Sequence, residues 1–445
     1  MGLEIEGKQI LIMGLGAHGG GAASARFFCE HGASVVVTDL RNETELAPSL
    51  QALSDCDIQY RLGTHREDDF RTADVVIKNP AVPRTSPFLR LATRIETDIS
   101  VFLSIHGGHV FGVTGTKGKS STASALHHLV HAAHPSARLG GNITISPLSF
   151  CRELTGEEIV VLELSSFQLG DLRMTESWMA NELTPFTVAV VTNLLPDHQD
   201  YYDSMESYAA DKAIIFERQP PQGWVVLAGS DPYSAAYAPP HPEHVIRTAG
   251  NYGSGDRRFA DLLPEKLLVP GTHMRHNLHT AAVAASLYGM DSQAIRAAAA
   301  SYTGIPHRLE LVRTIDNVLY INDSAATIQE ATLAAVSSLD RPVHIIAGGS
   351  DKGLPLDRFV EIARKAASVT LLHGTATEKI VALFERSSAS FSGPHASLRA
   401  ALEAARQQAQ AGDAVLLSPG CASFGMFRNE FDRGDQFREL VKNIY

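Results

Sequence analysis

A glycine-rich loop between a strand and a helix constrains this chain more than any other feature of its sequence. The apolar run His109–Val113 predicts a buried strand, and a helical pattern follows Lys119. The loop between them, residues 114–121, contains two glycines, two lysines and two serines. Such a loop can surround a phosphate with backbone N–H groups, with a lysine on the terminal phosphates and a hydroxyl on Mg²⁺. The segment predicts a nucleoside triphosphate site, although two residues separate Gly115 from Gly118 where a standard P-loop has four.

Strand and helix patterns alternate along the whole chain of 445 residues, a length that suggests about three domains. We expect a doubly wound α/β protein with a Rossmann-like domain at 1–100, a central P-loop-type ATPase domain with a mostly parallel sheet at 101–303, and a second Rossmann-like domain at 304–445, with joints near 98–108 and 300–306. The predicted strands are Gln9–Met13, Ser34–Asp39, Val75–Ile77, His109–Val113, Ile159–Leu162, Val188–Val191, Val318–Ile321, Val343–Ala347, Val369–Leu372 and Ala414–Leu417. The predicted helices include a segment ending near His31, Thr280–Ala300, Arg358–Ala367 and Ser397–Gln410.

Composition excludes several classes of protein. The 38 basic and 49 acidic residues give a net charge of −11 without a basic block, which argues against a nucleic-acid partner. No apolar run approaches the roughly 18 residues of a membrane span, and the acidic N-terminus does not resemble a signal peptide. We therefore expect a cytoplasmic protein without membrane insertion. Its four cysteines are too dispersed for a disulfide scaffold, and we expect them to be reduced and buried.

A second glycine turn follows the first predicted strand. Gly14, Gly16 and Gly19 have the spacing of a dinucleotide fingerprint, and Asp39 lies where a ribose contact is expected. Taken alone, this pattern favours an NAD-dependent dehydrogenase. A tight turn without a ligand is about as well supported by an isolated match.

Two polar residues follow the central strands, at the edge where parallel sheets form ligand crevices. Glu163 comes directly after Ile159–Leu162, so its carboxylate can serve a Mg²⁺–triphosphate. His198 follows the next strand, and a surface histidine among the nineteen in the chain is an equally good interpretation.

The motifs along this chain resemble those of the Mur ligases, the ATP-dependent amide ligases of peptidoglycan synthesis. The resemblance runs in order over essentially the whole chain, and it is closest to the members that add D-glutamate to UDP-N-acetylmuramoyl-L-alanine. The matching segments are Gly115–Ser120, Gly141–Ile143, Glu163–Leu169, Asn193–His198, His307–Arg308, Asn322–Ser324, Gly348–Lys352, Leu417–Phe424 and Phe427–Gly434.

The resemblance implies three domains that bind, in turn, a UDP moiety, ATP and an amino acid. It also implies a monomer whose partners are these small molecules, an acyl-phosphate intermediate, and two Mg²⁺ sites. The catalytic residues implied are Lys119, Glu163, His198 and Lys212, with Lys212 as a carbamate. Metal ligands would be Ser120, Glu163, His198 and carbamylated Lys212. ATP would be bound by Gly115, Thr116, Lys117, Gly118, Lys119, Ser120, Ser121, Asn277, Arg308 and Asp323. The UDP substrate would contact Ala17, His18, Asp39, Leu40, Arg41, Asn79, Asn142 and Tyr208, and the amino acid Thr327, Lys352 and Ser423.

The sequence departs from the family pattern at Ala325, where a lysine is usual. This difference leaves the choice between D-glutamate and L-glutamate open. A folylpolyglutamate synthase-like ligase remains an alternative, although the βαβ unit before the ATP loop favours a UDP-binding ligase. A non-catalytic nucleotide switch is a further alternative, and it would be indifferent to UDP-sugars and glutamate.

Overall fold

The computed structural model describes residues 4–16, 20–143, 145–181, 185–248, 257–259, 261–269 and 271–444. The chain divides into two compact units, one formed by residues 1–263 and 277–299 and the other by 264–276 and 300–445. Over the described ranges, no helix is long and apolar enough to cross a membrane.

The first sheet of the first unit is five-stranded and parallel, in the order β3-β2-β1-β4-β5. Its central strands form because short apolar runs are buried on both faces, as in other parallel sheets. Helix α2 begins with a capping box between Asn42 and Glu45. The elements are β1 Gln9–Met13, α1 Gly20–Glu30, β2 Ser34–Asp39, α2 Glu43–Ala52, β3 Ile58–Leu62, α3 Glu67–Thr72, β4 Val75–Lys78, β5 Ile95–Glu96 and α4 Asp98–Ile105.

The second sheet of this unit has six parallel strands in the order β11-β10-β9-β6-β8-β7. This order places the ends of β8 and β9 on either side of the glycine-rich loop after β6. The elements are β6 His109–Thr114, α5 Lys119–Ala133, β7 Arg138–Gly141, β8 Ile159–Glu163, α6 Ser166–Leu172, α7 Glu176–Met179, β9 Phe186–Val191, α8 Met205–Ala213, β10 Trp224–Leu227, α9 Pro232–Ala236 and β11 Val245–Arg247, followed along the chain by α10 Thr272–Leu287 and α11 Ser292–Ser301.

The sheet of the second unit has the order β12-β13-β17-β14-β15-β16, and only β12 runs antiparallel to its neighbour. Apolar clusters pack on both of its faces. The elements are β12 Glu310–Ile315, β13 Val318–Asn322, α12 Gln329–Ser337, β14 Val343–Ala347, α13 Phe359–Lys365, β15 Ser368–Leu372, α14 Thr375–Ser387, β16 Ser392–His395, α15 Leu398–Gln408, β17 Ala414–Leu417 and α16 Glu430–Lys442.

The α/β class and the ten predicted strands are confirmed, but two local predictions were wrong. The alanine-rich segment is two helices rather than one, because the chain turns at Gly289, whose φ of +102° few other residues adopt. The four cysteines are free thiols, but Cys29, Cys56 and Cys151 are half-buried and only Cys421 is buried. The predicted joint near 98–108 contains helix α4, and its role as a joint stays a prediction.

Candidate active site

The glycine-rich loop is shaped by the end of β9. The backbone N–H of Thr116 donates to the carbonyl of Asn193 at 2.8 Å, and the N–H of Lys117 donates to its side-chain oxygen at 2.9 Å. Gly118 then caps α5 with a φ of +80°, a left-handed conformation that glycine adopts without strain. The loop is thus preorganised, with the helix N-terminus beginning at Lys119.

The two lysines of the loop have different surroundings. The ammonium of Lys119 donates to the carbonyl of Thr116 at 3.0 Å, and its side chain lines the main cleft of the first unit. The exposed side chain of Lys117 instead forms an ion pair with Asp197 at 3.1 Å. Asn277 lies against Gly118, leaving no room for a side chain there. Lys119 is therefore the lysine of the loop that faces the cleft.

The cleft has a volume of about 740 Å³ and collects many residues predicted from the sequence. Its walls come from the first sheet, the loop after β4, and the carboxyl ends of the central strands. The predicted residues that line it are Arg41, Asn79, Lys119, Asn142, His198, Tyr208 and Lys212. The glycine turn also lines it, through Gly14 and Gly16, so candidate UDP and ATP residues share one cavity.

Glu163, the last residue of β8, is 1% exposed and lies behind Asn142. The amide nitrogen of Asn142 donates to Glu163 Oε1 at 3.2 Å. The other oxygen, Oε2, is buried and has no hydrogen-bond partner among the described residues. A buried carboxylate oxygen without a partner is costly, and a hard cation would satisfy it. Glu163 therefore fits a magnesium ligand.

No group of three or more histidine, cysteine, aspartate or glutamate side chains is assembled for a metal within the described ranges. A Mg²⁺ site does not require such a group, because Mg²⁺ commonly uses one or two carboxylates together with phosphate oxygens and water. His198 lies in the same cleft as Lys119, and its ring packs edge-on against Phe167 at 4.9 Å between centroids. Ser120 follows Lys119 in the first turn of α5 and is half-buried, without lining the cleft.

Lys212 is not the solvated helix lysine that its sequence context alone suggests. It is 1% exposed, its ammonium donates to the carbonyl of Gly115 at 2.8 Å, and the same nitrogen lies 4.6 Å from the centre of the Tyr208 ring. Burial, together with the positive charge of Lys119, holds the pKa of Lys212 well below its usual value. The side chain is therefore unusually easy to convert to the neutral amine.

Tyr208 joins α8 to the glycine-rich loop. Its hydroxyl lies 3.1 Å from the hydroxyl of Thr116, which also accepts a hydrogen bond from the backbone of Leu195. Its ring forms part of the cleft wall. Tyr208 and Lys212 are one helical turn apart on α8, which explains why both meet the loop.

Asp39 organises the glycine turn rather than lining the cleft. Its carboxylate accepts hydrogen bonds from the backbone N–H groups of Leu15 and Gly16, at 2.9 and 3.3 Å, and from Arg41 at 3.0 Å. Burial opposes ionisation of Asp39, but the hydrogen bonds from Arg41 and Gly16 outweigh it and lower the pKa. Arg41 itself reaches the cleft, while the side chain of Leu40 is 66% exposed. Ala17 and His18 lie outside the described residues.

The remaining ATP candidates lie in the second unit. Asp323, at the end of β13, accepts hydrogen bonds from the hydroxyl of Ser418 at 2.6 Å and the backbone N–H of Leu309 at 3.1 Å. Burial raises its pKa to about 7, although Ser418, the backbone of Leu309 and the nearby Arg308 favour the charged form. The carboxylate is thus held in place, but it is not fully ionised at neutral pH.

Two of the three amino-acid candidates meet in a cleft of about 250 Å³ in the second unit. The ammonium of Lys352 donates to the hydroxyl of Thr327 at 3.0 Å, and both residues line this cleft. Ser423 does not line this cleft. It is buried, and its hydroxyl has no hydrogen-bond partner within the described part of the chain. A lysine paired with a threonine hydroxyl suits a carboxylate ligand.

A largely buried group of charged residues beside the main cleft was not predicted from the sequence. Lys78 and Asp171 are both 1% exposed, with the ammonium 2.5 Å from the carboxylate. Arg84 bridges Asp171 to Asp211, the residue before Lys212. The partners are 93 and 127 positions apart, so no local pattern could pair them. The available signal in the sequence was Lys78, a charged residue at the end of the apolar strand β4.

Three family profiles match the chain in order. The Mur ligase MurD-like N-terminal domain matches residues 8–101, the Mur ligase middle domain residues 113–258, and the Mur ligase glutamate ligase domain residues 307–421. Among solved structures, UDP-N-acetylmuramate-alanine ligase MurC from Thermotoga maritima has a TM-score of 0.59 at 18% identity, covering 98% of this chain and 99% of that one. A MurF ligase from the same organism, in complex with ADP, has a TM-score of 0.53 at 17% identity, covering 99% and 97%. These structures establish the fold.

Full-length relatives are more similar in sequence. A protein of Roseiflexus sp. named UDP-N-acetylmuramoylalanine–D-glutamate ligase is 40% identical, covering 99% of this chain and 100% of the relative. Proteins with the same name from Borreliella afzelii and Treponema pallidum are 37% and 36% identical, each covering 98% of the relative and 98% and 99% of this chain. Together with the three profiles and the phosphate-loop geometry, these relatives establish that the chain belongs to the Mur ligase family.

Proposed function

We propose that this chain is an ATP-dependent ligase that joins D-glutamate to UDP-N-acetylmuramoyl-L-alanine in peptidoglycan precursor synthesis. The observation that carries the proposal is the shared cleft of the first unit. There the phosphate-loop lysine Lys119 lines the same cavity as the glycine turn and Asn79. The full-length relatives that carry this ligase name support the choice of substrates.

The reaction requires activation of a carboxylate. An oxygen of the substrate carboxylate attacks the γ-phosphorus of ATP, and ADP leaves with the bond electrons, giving an acyl phosphate. The amine of glutamate then attacks the acyl carbon, loses a proton, and phosphate leaves from the tetrahedral intermediate. Positioning and charge neutralisation dominate such phosphoryl transfers. Lys119 would neutralise the phosphate charge, and the helix N-terminus that it begins would add a favourable dipole; its position on the cleft supports this role.

Residues in and next to the cleft suit two Mg²⁺ sites, with His198 and Lys212 lining it and Glu163 behind Asn142. We assign Ser120 and Glu163 to one and His198 and carbamylated Lys212 to the other. Bound Mg²⁺ would supply charge neutralisation between the phosphate and the substrate carboxylate. The partnerless Oε2 of Glu163 supports the first assignment, and the buried, easily neutralised amine of Lys212 supports the carbamate.

The other site assignments follow from location. Asn79, Arg41, Asn142 and Tyr208 line the main cleft, which supports UDP-substrate binding there. Asp39 and Leu40, with Ala17 and His18, stay with this UDP assignment. The loop residues from Gly115 to Ser121, with Asn277, Arg308 and Asp323, are assigned to ATP, and Thr327, Lys352 and Ser423 to glutamate.

We also retain the division into a UDP domain at 1–100, an ATP domain at 101–303 and an amino-acid domain at 304–445. The profile boundaries at 8–101, 113–258 and 307–421 support this division. A cytoplasmic monomer remains part of the proposal, and light scattering on the purified chain tests the oligomeric state.

Product analysis tests the proposed function. The enzyme is incubated with ATP, Mg²⁺, UDP-N-acetylmuramoyl-L-alanine and D-glutamate, and the products are separated and identified by mass spectrometry. We expect a UDP-sugar heavier by one glutamyl residue, with one ADP formed for each product molecule. ATP turnover that instead extends a folate substrate by glutamate would contradict the proposal and favour the folylpolyglutamate synthase-like alternative.

A further inference from the structure

A largely buried ion cluster, in which only Arg84 is partly exposed, connects the loop after β4 to the helix that carries Lys212. We define the cluster as Lys78, Arg84, Asp171 and Asp211, four side chains from three segments distant in sequence. We propose that it positions Lys212 and Tyr208 against the phosphate loop and also fixes the cleft-lining loop 79–84. The two ends of the cleft would then keep the relative position that the reaction needs. This inference rests on the proposed function of that cleft.

The contacts follow one path through the first unit. Lys78 ends β4 and pairs with Asp171 of α6, and Arg84 contacts Asp171 Oδ1 at 3.4 Å through its Nε. The other end of the Arg84 guanidinium contacts Asp211 of α8, which also accepts a hydrogen bond from the Tyr202 hydroxyl at 2.9 Å. Both α6 and α8 are therefore attached to the loop that follows β4.

The same path reaches the site on both sides. Asn79, Pro80 and Pro83, which lie between the two cations of the cluster, line the main cleft. At the other end, Lys212 follows Asp211 directly and donates to the carbonyl of Gly115 at 2.8 Å. A displacement of Asp211 would therefore move the lysine that touches the phosphate loop.

Stability alone does not account for such a cluster. Burying charges costs desolvation energy, and buried ion pairs are often no more stabilising than apolar residues of the same size. They do impose one geometry, because each charge requires its partner. The packing around Gly170 also indicates a fixed geometry for the cluster. A Cβ atom there would lie closer to Arg84 and Asp211 than real Cβ atoms come to their neighbours, so the pair occupies the space that a side chain would need.

Three substitutions break the cluster in different ways. Arg84→Met removes the shared cation, Asp211→Asn removes its partner beside Lys212, and Gly170→Ala displaces the pair without changing any charge. Arg84→Lys retains the positive charge, and we expect it to recover part of the lost activity. Arg71→Met is the matched control, because Arg71 forms an exposed ion pair with Glu67 on α3, away from the cluster.

Steady-state kinetics of the full-length enzyme are measured below the unfolding temperature of every variant. Rates are normalised to the active fraction, taken from the stoichiometry of fluorescent ADP binding. We expect kcat/KM for UDP-N-acetylmuramoyl-L-alanine to fall by about tenfold to a hundredfold in the three cluster variants, since small misplacements have effects of this size. The KM for D-glutamate should stay unchanged, and Arg84→Met/Asp211→Asn should be no worse than the single variants.

A purely structural role gives a different result. Variants that unfold at lower temperature but keep the normalised kcat and the KM for the UDP substrate would overturn the proposal. Equal losses in Arg84→Met and Arg84→Lys would also overturn it.

Hydrogen–deuterium exchange gives a readout that does not depend on the proposed reaction. Arg84→Met and Gly170→Ala should speed exchange in both 205–213 and 114–118, and Arg71→Met should not. Unchanged exchange in 114–118 would refute the connection, whereas a parent enzyme that releases no phosphate while exchange responds would refute only the proposed function.

Discussion

Lys212 shows how far burial can change the chemistry of one side chain. Its amine is enclosed beside Lys119 and Tyr208, and its pKa is lowered, which favours the neutral form that attacks CO₂ and then loses a proton to give a carbamate. We expect a carbamate resonance when the protein is supplied with ¹³C-bicarbonate and examined by NMR. Lys212→Arg should lack the resonance, and Lys8→Arg, at a half-exposed site, should retain it. A resonance that persists in Lys212→Arg would contradict the assignment.

Glu163 provides a second prediction at the residue scale. Glu163→Gln keeps the size of the side chain but removes the charge of the carboxylate, whose Oε2 has no hydrogen-bond partner among the described residues. We expect kcat to fall by roughly 10²- to 10³-fold, the usual range for loss of one preorganised electrostatic contact, and the Mg²⁺ concentration for half-maximal rate to rise. Phosphate release across a Mg²⁺ titration measures both. Glu157→Gln, at an exposed position before β8, is the control, and an unchanged Mg²⁺ dependence in Glu163→Gln would argue against a metal ligand.

Asp323 predicts a pH dependence of stability. Its pKa is about 7 in the folded protein and 3.8 without burial, so the folded state binds more protons between these values. The free energy of unfolding therefore falls as pH rises from about 4 to about 7, by an amount on the order of 4 kcal/mol from this group alone. Asp323→Asn should remove this part of the decline, because an amide does not titrate in this pH range. The amide can still form hydrogen bonds with Ser418 and Leu309, so the fold should tolerate the change.

Thermal and denaturant unfolding across this pH range measure the effect without substrates. The stability of Asp323→Asn relative to the parent should increase with pH, whereas the exposed substitution Asp340→Asn should give a curve parallel to the parent. A parallel curve for Asp323→Asn would refute the role of this carboxyl.

At the scale of single elements, the fit between α1 and the glycine turn predicts a selective defect. A Cβ at Gly21 would clash with the carbonyl oxygens of Gly14 and Leu15, whereas one at Gly20 has Asn79 Nδ2, at 4.0 Å, as its nearest described neighbour. Overpacking typically costs about 1–3 kcal/mol. We expect Gly21→Ala to bind the UDP substrate about tenfold more weakly, with ADP affinity unchanged, by isothermal titration calorimetry. Gly20→Ala is the control, and equal effects of the two substitutions would contradict this packing argument.

The burial of each element explains whether it could be predicted from the sequence. Parallel strands such as β8 and β14 are buried along their whole length, so each appears as an apolar run. Strand β12 mixes charged and apolar residues at a half-buried edge and was missed. The helix break at Gly289 was also missed, because a glycine in an alanine-rich segment is compatible with either a helix or a turn.

For the site, motifs adjacent in sequence were predictable and contacts between distant segments were not. Lys119 could be found from the loop alone. Asp39 ends its strand as expected, but its spacing could not reveal that its carboxylate accepts hydrogen bonds from Leu15 and Gly16. The pairing of Arg84 with Asp211 depends on the packing of α6 and α8 and has no counterpart in any local pattern.

At the scale of the whole molecule, the proposed reaction couples ATP cleavage to glutamate addition. The nucleotide loop and the glycine turn share one cleft in the first unit, and the second unit contributes a cleft with Lys352 and Thr327. The alternatives differ in what they require. A dehydrogenase leaves the phosphate loop without a role, and a nucleotide switch is indifferent to both co-substrates.

The most direct measurement is phosphate release from ATP with Mg²⁺ and UDP-N-acetylmuramoyl-L-alanine, in the presence of D-glutamate, L-glutamate or no amino acid. Lys119→Met serves as the inactive control. We expect release that depends on D-glutamate, with ADP formed in equal amount, which would also establish that Ala325 is compatible with the reaction. Turnover with L-glutamate alone would keep the ligase and change its specificity. Absence of release in all three reactions, from protein that still binds ATP, would contradict the proposed coupling of ATP cleavage to glutamate addition.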